Sequence, residues 1–226
     1  MEERSDPLPP LTKNRAMTTT VKLQNFENAT SGQHAFALLT VGRLEGMVNN
    51  PVFLDRLGKV TYTRNIYFPN DRYQIEATNE DLVRVITTGA EWKADPTGHH
   101  PDYQIDLFVR LEQMPDGILG GVDHPDRTIK TSTQFFQEWY GNNNWVALAG
   151  HWFHEWLHTA GFQHAFRGPD EEPDYGDAVY VVGNLLVNVE VERWQQKAYA
   201  EEVGRGVLSM STDYFDAYSI PRECRG

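Results

Sequence analysis

The sequence has a single cysteine, no long apolar run and few basic residues for its acidic content. Cys224 is the only cysteine among 226 residues, which excludes an intrachain disulfide and a metal site built from several thiolates. No apolar segment reaches the roughly 18 residues that a membrane-spanning helix needs. Twenty basic residues stand against 32 acidic ones, giving a formal charge of −12, a field that repels phosphate backbones and anionic lipids. We therefore expect neither a nucleic acid nor a membrane as partner.

What remains is the composition of a globular chain. Hydrophobic residues make up 40% of the sequence and aromatic residues 12%, which excludes a wholly disordered or fibrous protein. Residues 1–20 contain three prolines and no apolar periodicity, which predicts a flexible tail ahead of one domain over residues 21–226. The tail also lacks the apolar core of a signal peptide. We expect a cytoplasmic protein, or one secreted without a recognisable signal.

Helical and strand patterns are mixed along the chain. Apolar spacings of three and four, together with capping residues, predict four helices, over residues 33–48, 78–88, 145–160 and 178–202. Alternating or β-branched segments predict strands at residues 60–68 and 103–111 and within 115–125 and 128–133. Because no change in composition divides these elements, the sequence predicts a single α/β domain.

The densest group of histidines lies in residues 154–164, which read HEWLHTAGFQH. His154 and His158 are four residues apart, so on a helix both imidazoles project from one face and can bind one metal ion. Glu155 follows the first of them and would stand beside the metal rather than on it. That is the position in which a general base for a metal-bound water is needed.

A third ligand is available immediately after the helix. Gly161 allows the chain to turn sharply, because glycine takes positive φ without a steric penalty, and the turn can bring His164 to the same metal. Three histidines leave the fourth tetrahedral position for water, whereas structural zinc sites usually fill that position and usually use cysteine. We therefore predict Zn²⁺ as cofactor; the alternative is a helix that carries this spacing by chance.

At all five defining positions this segment resembles the extended HExxHxxGxxH signature of the metzincin clan of zinc endopeptidases. The resemblance implies that His154, His158 and His164 bind zinc and that Glu155 is the general base and acid. It implies an α+β, zincin-like fold, in which a twisted mixed sheet lies over the active-site helix and a smaller helical subdomain follows. The implied activity is hydrolysis of peptide bonds in a peptide or protein substrate.

The resemblance extends to the order of elements before the active-site helix. Matrix metalloproteinases, which belong to this clan, have a glycine-rich edge strand there, and Gly117 to Val122 (GILGGV) is similar. By this resemblance the predicted substrate-binding residues are Gly117, Ile118, Leu119, Gly120 and Gly121. An exposed edge strand binds peptides through main-chain hydrogen bonds. A hairpin turn without a ligand is the alternative.

Metzincins also have a methionine-containing turn beneath the metal, and two segments here are candidates for it. Met210, in the sequence LSMSTDYF, is the first, although Thr212 stands where several families have a tyrosine. In the second interpretation, residues 178–202 form the clan's C-terminal helix and Asp174 to Tyr180 is a degenerate turn without methionine. If Met210 is not the turn residue, it is an ordinary core methionine.

Several other residues have both a functional and an ordinary interpretation. His151 is either a hydrogen-bond donor behind the metal site or a core or surface histidine. The acidic run Asp170 to Asp177 either holds calcium or is a solvated loop. Cys224 is either a thiolate latch on the zinc or an inert tail residue. Four tyrosines are candidates for a phenol that stabilises the transition state: Tyr175, Tyr180, Tyr214 and Tyr218.

Three functions remain open on the sequence. A zinc endopeptidase is favoured by the resemblance. A zinc hydrolase of another amide or small substrate would use the same scaffold, since fold and metal do not fix the substrate. A non-catalytic binding module that keeps the zinc is the third, and it requires no role for Glu155.

Overall fold

The computed structural model describes residues 18–70, 73–92, 99–123, 126–164 and 175–204. Residues 170–174 of the acidic run lie outside these ranges. So do four other residues singled out from the sequence: Met210, Tyr214, Tyr218 and Cys224. The C-terminal boundary of the tail predicted for residues 1–20 lies too far along the chain. Thr19 is buried and Thr20 begins a strand, so both belong to the fold.

The described residues form six helices: α1 Ser31–Val48, α2 Pro51–Leu57, α3 Asn79–Thr88, α4 Thr133–Gly141, α5 Trp145–Thr159 and α6 Ala178–Gly204. The four helices predicted from the sequence are confirmed as α1, α3, α5 and α6. The other two, α2 and α4, are seven and nine residues long, too short to display a repeated apolar stripe. None of the described helices is both long and apolar enough to cross a membrane.

Nine strands occur in the same residues: β1 Thr20–Glu27, β2 Ile66–Asn70, β3 Tyr73–Glu76, β4 Glu91–Trp92, β5 His99–His100, β6 Gln104–Glu112, β7 Gly120–Asp123, β8 Thr128–Ser132 and β9 Phe162–Gln163. The main sheet has the order β1-β6-β8-β7. Within it β1, β6 and β8 are parallel, and β7 pairs with β8 in the antiparallel direction at the edge. The expected mixed α/β architecture is therefore confirmed.

Two strand predictions need correction. The strand predicted over residues 60–68 begins only at Ile66, because the preceding segment bonds to the start of α6 instead. Thr63 N–H donates to Gly176 O, and Ala178 N–H donates to Arg64 O. Strand β1 is not predicted from the sequence. Its register shifts between Leu23 and Asn25, and a bulge of this kind breaks the period-two alternation by which a strand is recognised.

The core lies between one face of the main sheet and the helices. Alternate residues of β6, from Ile105 to Leu111, are buried against this layer, while Phe108 on the opposite face is 42% exposed. Covering only one face explains why β6 has such a clear alternating pattern. Helix α5 lies at the centre, in contact with the sheet, α1 and α6, and its side chains are buried around most of its circumference.

A buried carboxyl joins the sheet to α5. Glu91 is 4% exposed and accepts a hydrogen bond from the indole N–H of Trp156. The backbone N–H of Asp106 lies 3.1 and 3.3 Å from its two carboxyl oxygens. Burial raises the pKa of Glu91 to about 9, because removal from water disfavours the charged form.

Replacing Glu91 with glutamine should change how stability depends on pH. The folded chain holds the Glu91 proton more tightly than the unfolded chain, so the stabilisation is complete below the ordinary pKa of 4.5 and is lost as pH rises through about 9. In urea unfolding, the wild type should lose free energy of unfolding relative to Glu91→Gln over that interval, by at most about 1.4 kcal/mol per pH unit. A control at the exposed Asp55, Asp55→Asn, should follow the wild type. A pH-independent difference would contradict the prediction.

Candidate metal centre

The path of the chain through α5 and β9 sets the positions of the histidines. The Asn144 side chain caps α5 by accepting the N–H of Ala147 at 3.2 Å. After the helix ends, Gly161 has φ of +95° and turns the chain into β9, which pairs with β2. Stacking of Tyr67 on Phe162, with ring centroids 4.5 Å apart, fixes this turn. His164 follows directly and faces the helix again.

The three predicted ligands are brought together. One nitrogen from each of His154, His158 and His164 lies within 4.8 Å of the other two. The Nε2 atoms of His158 and His164 are 3.2 Å apart. Two nitrogens, each about 2.0–2.1 Å from one tetrahedral zinc, would be separated by about 3.4 Å. The spacing of these two nitrogens therefore fits a shared tetrahedral ion.

Hydrogen bonds behind two of the rings determine which nitrogens face the centre. Nδ1 of His158 lies 2.8 Å from the carbonyl oxygen of Phe162, which can only accept, so Nδ1 is the donor. Nδ1 of His164 lies 2.8 Å from Asp177 Oδ2 and donates to that carboxylate. In neutral rings both Nε2 atoms then carry lone pairs that face each other, an arrangement that a bound cation makes favourable.

Asp177 also holds the start of α6. Its Oδ1 accepts the backbone N–H groups of Val179 at 3.0 Å and Tyr180 at 3.2 Å, which otherwise have no partner in the first turn of a helix. Its side chain is only 1% exposed. One carboxylate thus orients His164 and caps α6. From the sequence, Asp177 is predicted to lie in an acidic run and in one candidate turn, and its position before an apolar helix is also a capping signal.

An aromatic ring from α6 packs against the histidines. Tyr180 stacks on His164 with ring centroids 4.4 Å apart and an interplanar angle of 22°, and its centroid is 4.9 Å from that of His154. Of the two candidates for the turn beneath the metal, the described part of Asp174 to Tyr180 therefore contacts the ligands. Burial, reinforced by the neighbouring imidazoles, lowers the pKa of His154 well below its ordinary value. The neutral ring is the form that binds metals.

Glu155 opens onto the same cavity as the histidines. The cavity has a volume of about 610 Å³ and lies between β7, α5 and α6. Glu155 is 6% exposed, and this burial raises the pKa of its carboxyl to about 8. Its Oε1 lies 3.7 Å from Nδ1 of His151, one helical turn earlier. A carboxyl with a raised pKa beside a cluster of metal-binding nitrogens is suited to proton transfer.

The glycine-rich segment forms the opposite wall. Gly120 and Gly121 lie in β7, and Gly117, Ile118 and Leu119 precede the strand; all five line the cavity. Among the described strands, β7 pairs only with β8, so its other edge has no strand partner within the described residues. Gly120, Gly121 and Val122 of this segment therefore lie in an edge strand of the described sheet, and the role of the segment in substrate binding stays a prediction.

Comparison with known proteins adds no assignment. No protein-family model, no curated protein and no solved structure matches this chain. The function has to be inferred from the donor set itself, which is three converging imidazoles and one buried carboxyl at a single cavity.

The two glycines of β7 should differ in their tolerance of a side chain. A Cβ at Gly120 would collide with the carbonyl oxygen of Lys130 and lie 2.5 Å from Cε1 of His151, whereas a Cβ at Gly121 meets nothing within 4 Å. Overpacking of this kind costs roughly 1–3 kcal/mol. We expect Gly120→Ala to lower the free energy of unfolding by that amount, and Gly121→Ala, the matched control, to change it by less than about 0.5 kcal/mol. Equal effects in chemical denaturation would show that Gly120 is not closely packed.

Proposed function

We propose that this chain is a zinc-dependent endopeptidase of metzincin type, with zinc held by His154, His158 and His164. The observation that carries the proposal is the convergence of their nitrogens within 4.8 Å in a cavity that also contains Glu155. Three imidazoles occupy three tetrahedral positions and leave one open, as in catalytic rather than structural zinc sites.

The chemistry divides between the ion and the chain. Zinc bound at this position would supply a Lewis acid that polarises a carbonyl and acidifies water. Glu155 takes a proton from the attacking water and later returns it to the leaving amine, so the carboxyl ends in its starting state. Burial favours the protonated form of this carboxyl and so raises its pKa, which makes it a stronger proton acceptor than an exposed glutamate.

A peptide is the substrate that the cavity walls fit. The outer edge of β7, which has no strand partner among the described residues, offers backbone donors and acceptors to an extended chain, and two adjacent glycines in that strand allow close approach. Within the described part of the chain, no lysine or arginine lines the cavity, so apart from the proposed zinc these residues offer no cation to a phosphate or carboxylate group. Recognition through main-chain hydrogen bonds and apolar contacts is consistent with this lining.

The order of the sheet also supports a zincin-like fold. The sheet is mixed, and its single antiparallel strand, β7, lies at the edge above α5. Helix α6, which follows the third histidine, packs against α5 and corresponds to the smaller helical subdomain expected from the resemblance. In this interpretation Tyr180 packs against two of the ligands, His154 and His164.

Two variants separate metal binding from catalysis. The wild type should contain one zinc per chain and cleave quenched peptides in a chelator-sensitive manner. His154→Ala should lose both zinc and cleavage, because one of three ligands is removed. Glu155→Gln should keep its zinc and lose turnover by about 100-fold or more, while Glu80→Gln, an exposed control in α3, should match the wild type. Metal analysis and peptide digestion are run on the same samples.

The other outcomes identify the competing functions. Zinc with hydrolysis of small amides but not of peptides would indicate a different hydrolase on this scaffold. Zinc with no hydrolysis of any substrate would indicate a binding module. A wild type without zinc would contradict the metal centre itself.

Asp177→Asn should weaken zinc binding without unfolding α6. Asparagine still caps a helix, but it replaces the charged acceptor that orients His164. Loss of such a partner typically costs 10- to 100-fold in metal affinity. Competition with a chromophoric chelator should show this loss, and circular dichroism should show unchanged helix content. The exposed control Asp55→Asn should bind zinc as the wild type does; equal affinities for all three proteins would exclude an orienting role for Asp177.

A further inference from the structure

A connected group of polar side chains lies between β8 and α5, beside the residues of the proposed mechanism. The indole N–H of Trp152 donates to Thr131 Oγ1 at 3.1 Å. Nε2 of His151 lies 3.2 Å from the same oxygen. Thr131 and Trp152 are fully buried and His151 is 8% exposed, so these groups have to satisfy one another's hydrogen bonds.

The hydrogen bonds of Thr131 favour one tautomer of His151. Its oxygen accepts the indole proton of Trp152, and among the described residues its own proton has Nε2 of His151 as acceptor. Burial lowers the pKa of His151 to about 4, which keeps the ring neutral. A neutral ring that accepts at Nε2 carries its proton at Nδ1. That nitrogen lies 3.7 Å from Oε1 of Glu155.

We propose that His151 is a positioning residue for Glu155, its Nδ1–H directed at Oε1 so that the other carboxyl oxygen is presented to the cavity. The inference rests on the proposed function, since it assigns His151 a role towards the general base. The distance of 3.7 Å is longer than a hydrogen bond, and catalytic hydrogen bonds commonly tighten when substrate binds. Holding one oxygen restricts the carboxyl to orientations that favour proton transfer.

Packing prevents the His151 ring from turning away. Trp139 lies on one side, with its ring centroid 5.6 Å from that of the imidazole. Gly120 of β7 lies close enough that even a Cβ there would be 2.5 Å from Cε1. The ring therefore occupies a fixed slot between the edge strand and α4. This close fit also connects the strand that we propose for substrate binding to the residue that orients the base.

The tautomer gives a test that does not depend on cleavage. The full chain, loaded with zinc and labelled with nitrogen-15 histidine, is examined by NMR near neutral pH, with the His151 signals assigned by their loss in His151→Asn. We expect a neutral ring protonated at Nδ1. A ring protonated at Nε2 would overturn the proposal, because Nδ1 would then direct a lone pair at Glu155. This result stands whether or not the protein proves to be a peptidase.

The kinetic test compares a variant that lacks the donor with one that keeps it. His151→Leu should lower kcat by about 10- to 100-fold, with KM within about twofold and zinc content unchanged. His151→Asn places an amide N–H near the position of Nδ1 and should recover most of kcat. A wild-type kcat in His151→Leu would overturn the proposal, as would equal losses in both variants.

A second pair of variants acts on the partner rather than on the histidine, in case His151→Leu does not fold. Thr131→Val removes the hydroxyl that donates to Nε2, while Thr131→Ser retains it. NMR should show a larger fraction of the Nε2-protonated tautomer in Thr131→Val than in Thr131→Ser, with kcat reduced in proportion. Identical tautomers and identical kcat in the two proteins would show that this hydroxyl does not orient His151 and would overturn the proposal.

Discussion

Burial of α5 on nearly all sides is the constraint on which the rest of the structure depends. The sheet, α1 and α6 all pack against this helix, and Trp152, Phe153, Trp156 and Leu157 are fully buried. A polar group in such surroundings is costly unless it has a partner. Two of the three indoles of α5, those of Trp152 and Trp156, accordingly bond to Thr131 and Glu91. The helix that carries the candidate centre is thus fixed by polar contacts as well as by packing.

Close approach of neighbouring elements shapes the walls of the site. A Cβ at Gly150 of α5 would lie 2.5 Å from Val187 of α6, and one at Gly183 would lie 3.6 Å from Cβ of His154. Glycine at position 150 lets α6 cross α5 closely, whereas a Cβ at position 183 would make only ordinary van der Waals contact. Protein interiors are close-packed, so side chains there have little room to move. The imidazoles, the ring of Tyr180 and the edge strand all border one cavity. This packing favours a preorganised rather than an adaptable centre.

Features set by local sequence could be predicted, and those set by distant contacts could not. The spacing of His154, His158 and His164 and the alternation in β6 are local, and both are found where expected. Asp177 is recognisable from the sequence as a possible cap, but not as the partner of His164, because that hydrogen bond depends on the tertiary fold that brings the two residues together. The segment before Ile66 has strand propensity, yet its bonds to the start of α6 override it. Gly120 is explained only by its tertiary neighbours, the carbonyl oxygen of Lys130 and the ring of His151.

The double role of Asp177 has a thermodynamic consequence. Its two oxygens serve different partners, one the imidazole of His164 and the other the first amides of α6. Folding of that first turn and occupation of His164 by any ligand are therefore linked equilibria, and each favours the other by the same factor. A local unfolding event at the start of α6 would loosen whatever His164 holds. Conversely, a ligand there would slow amide hydrogen exchange in the first turn of α6.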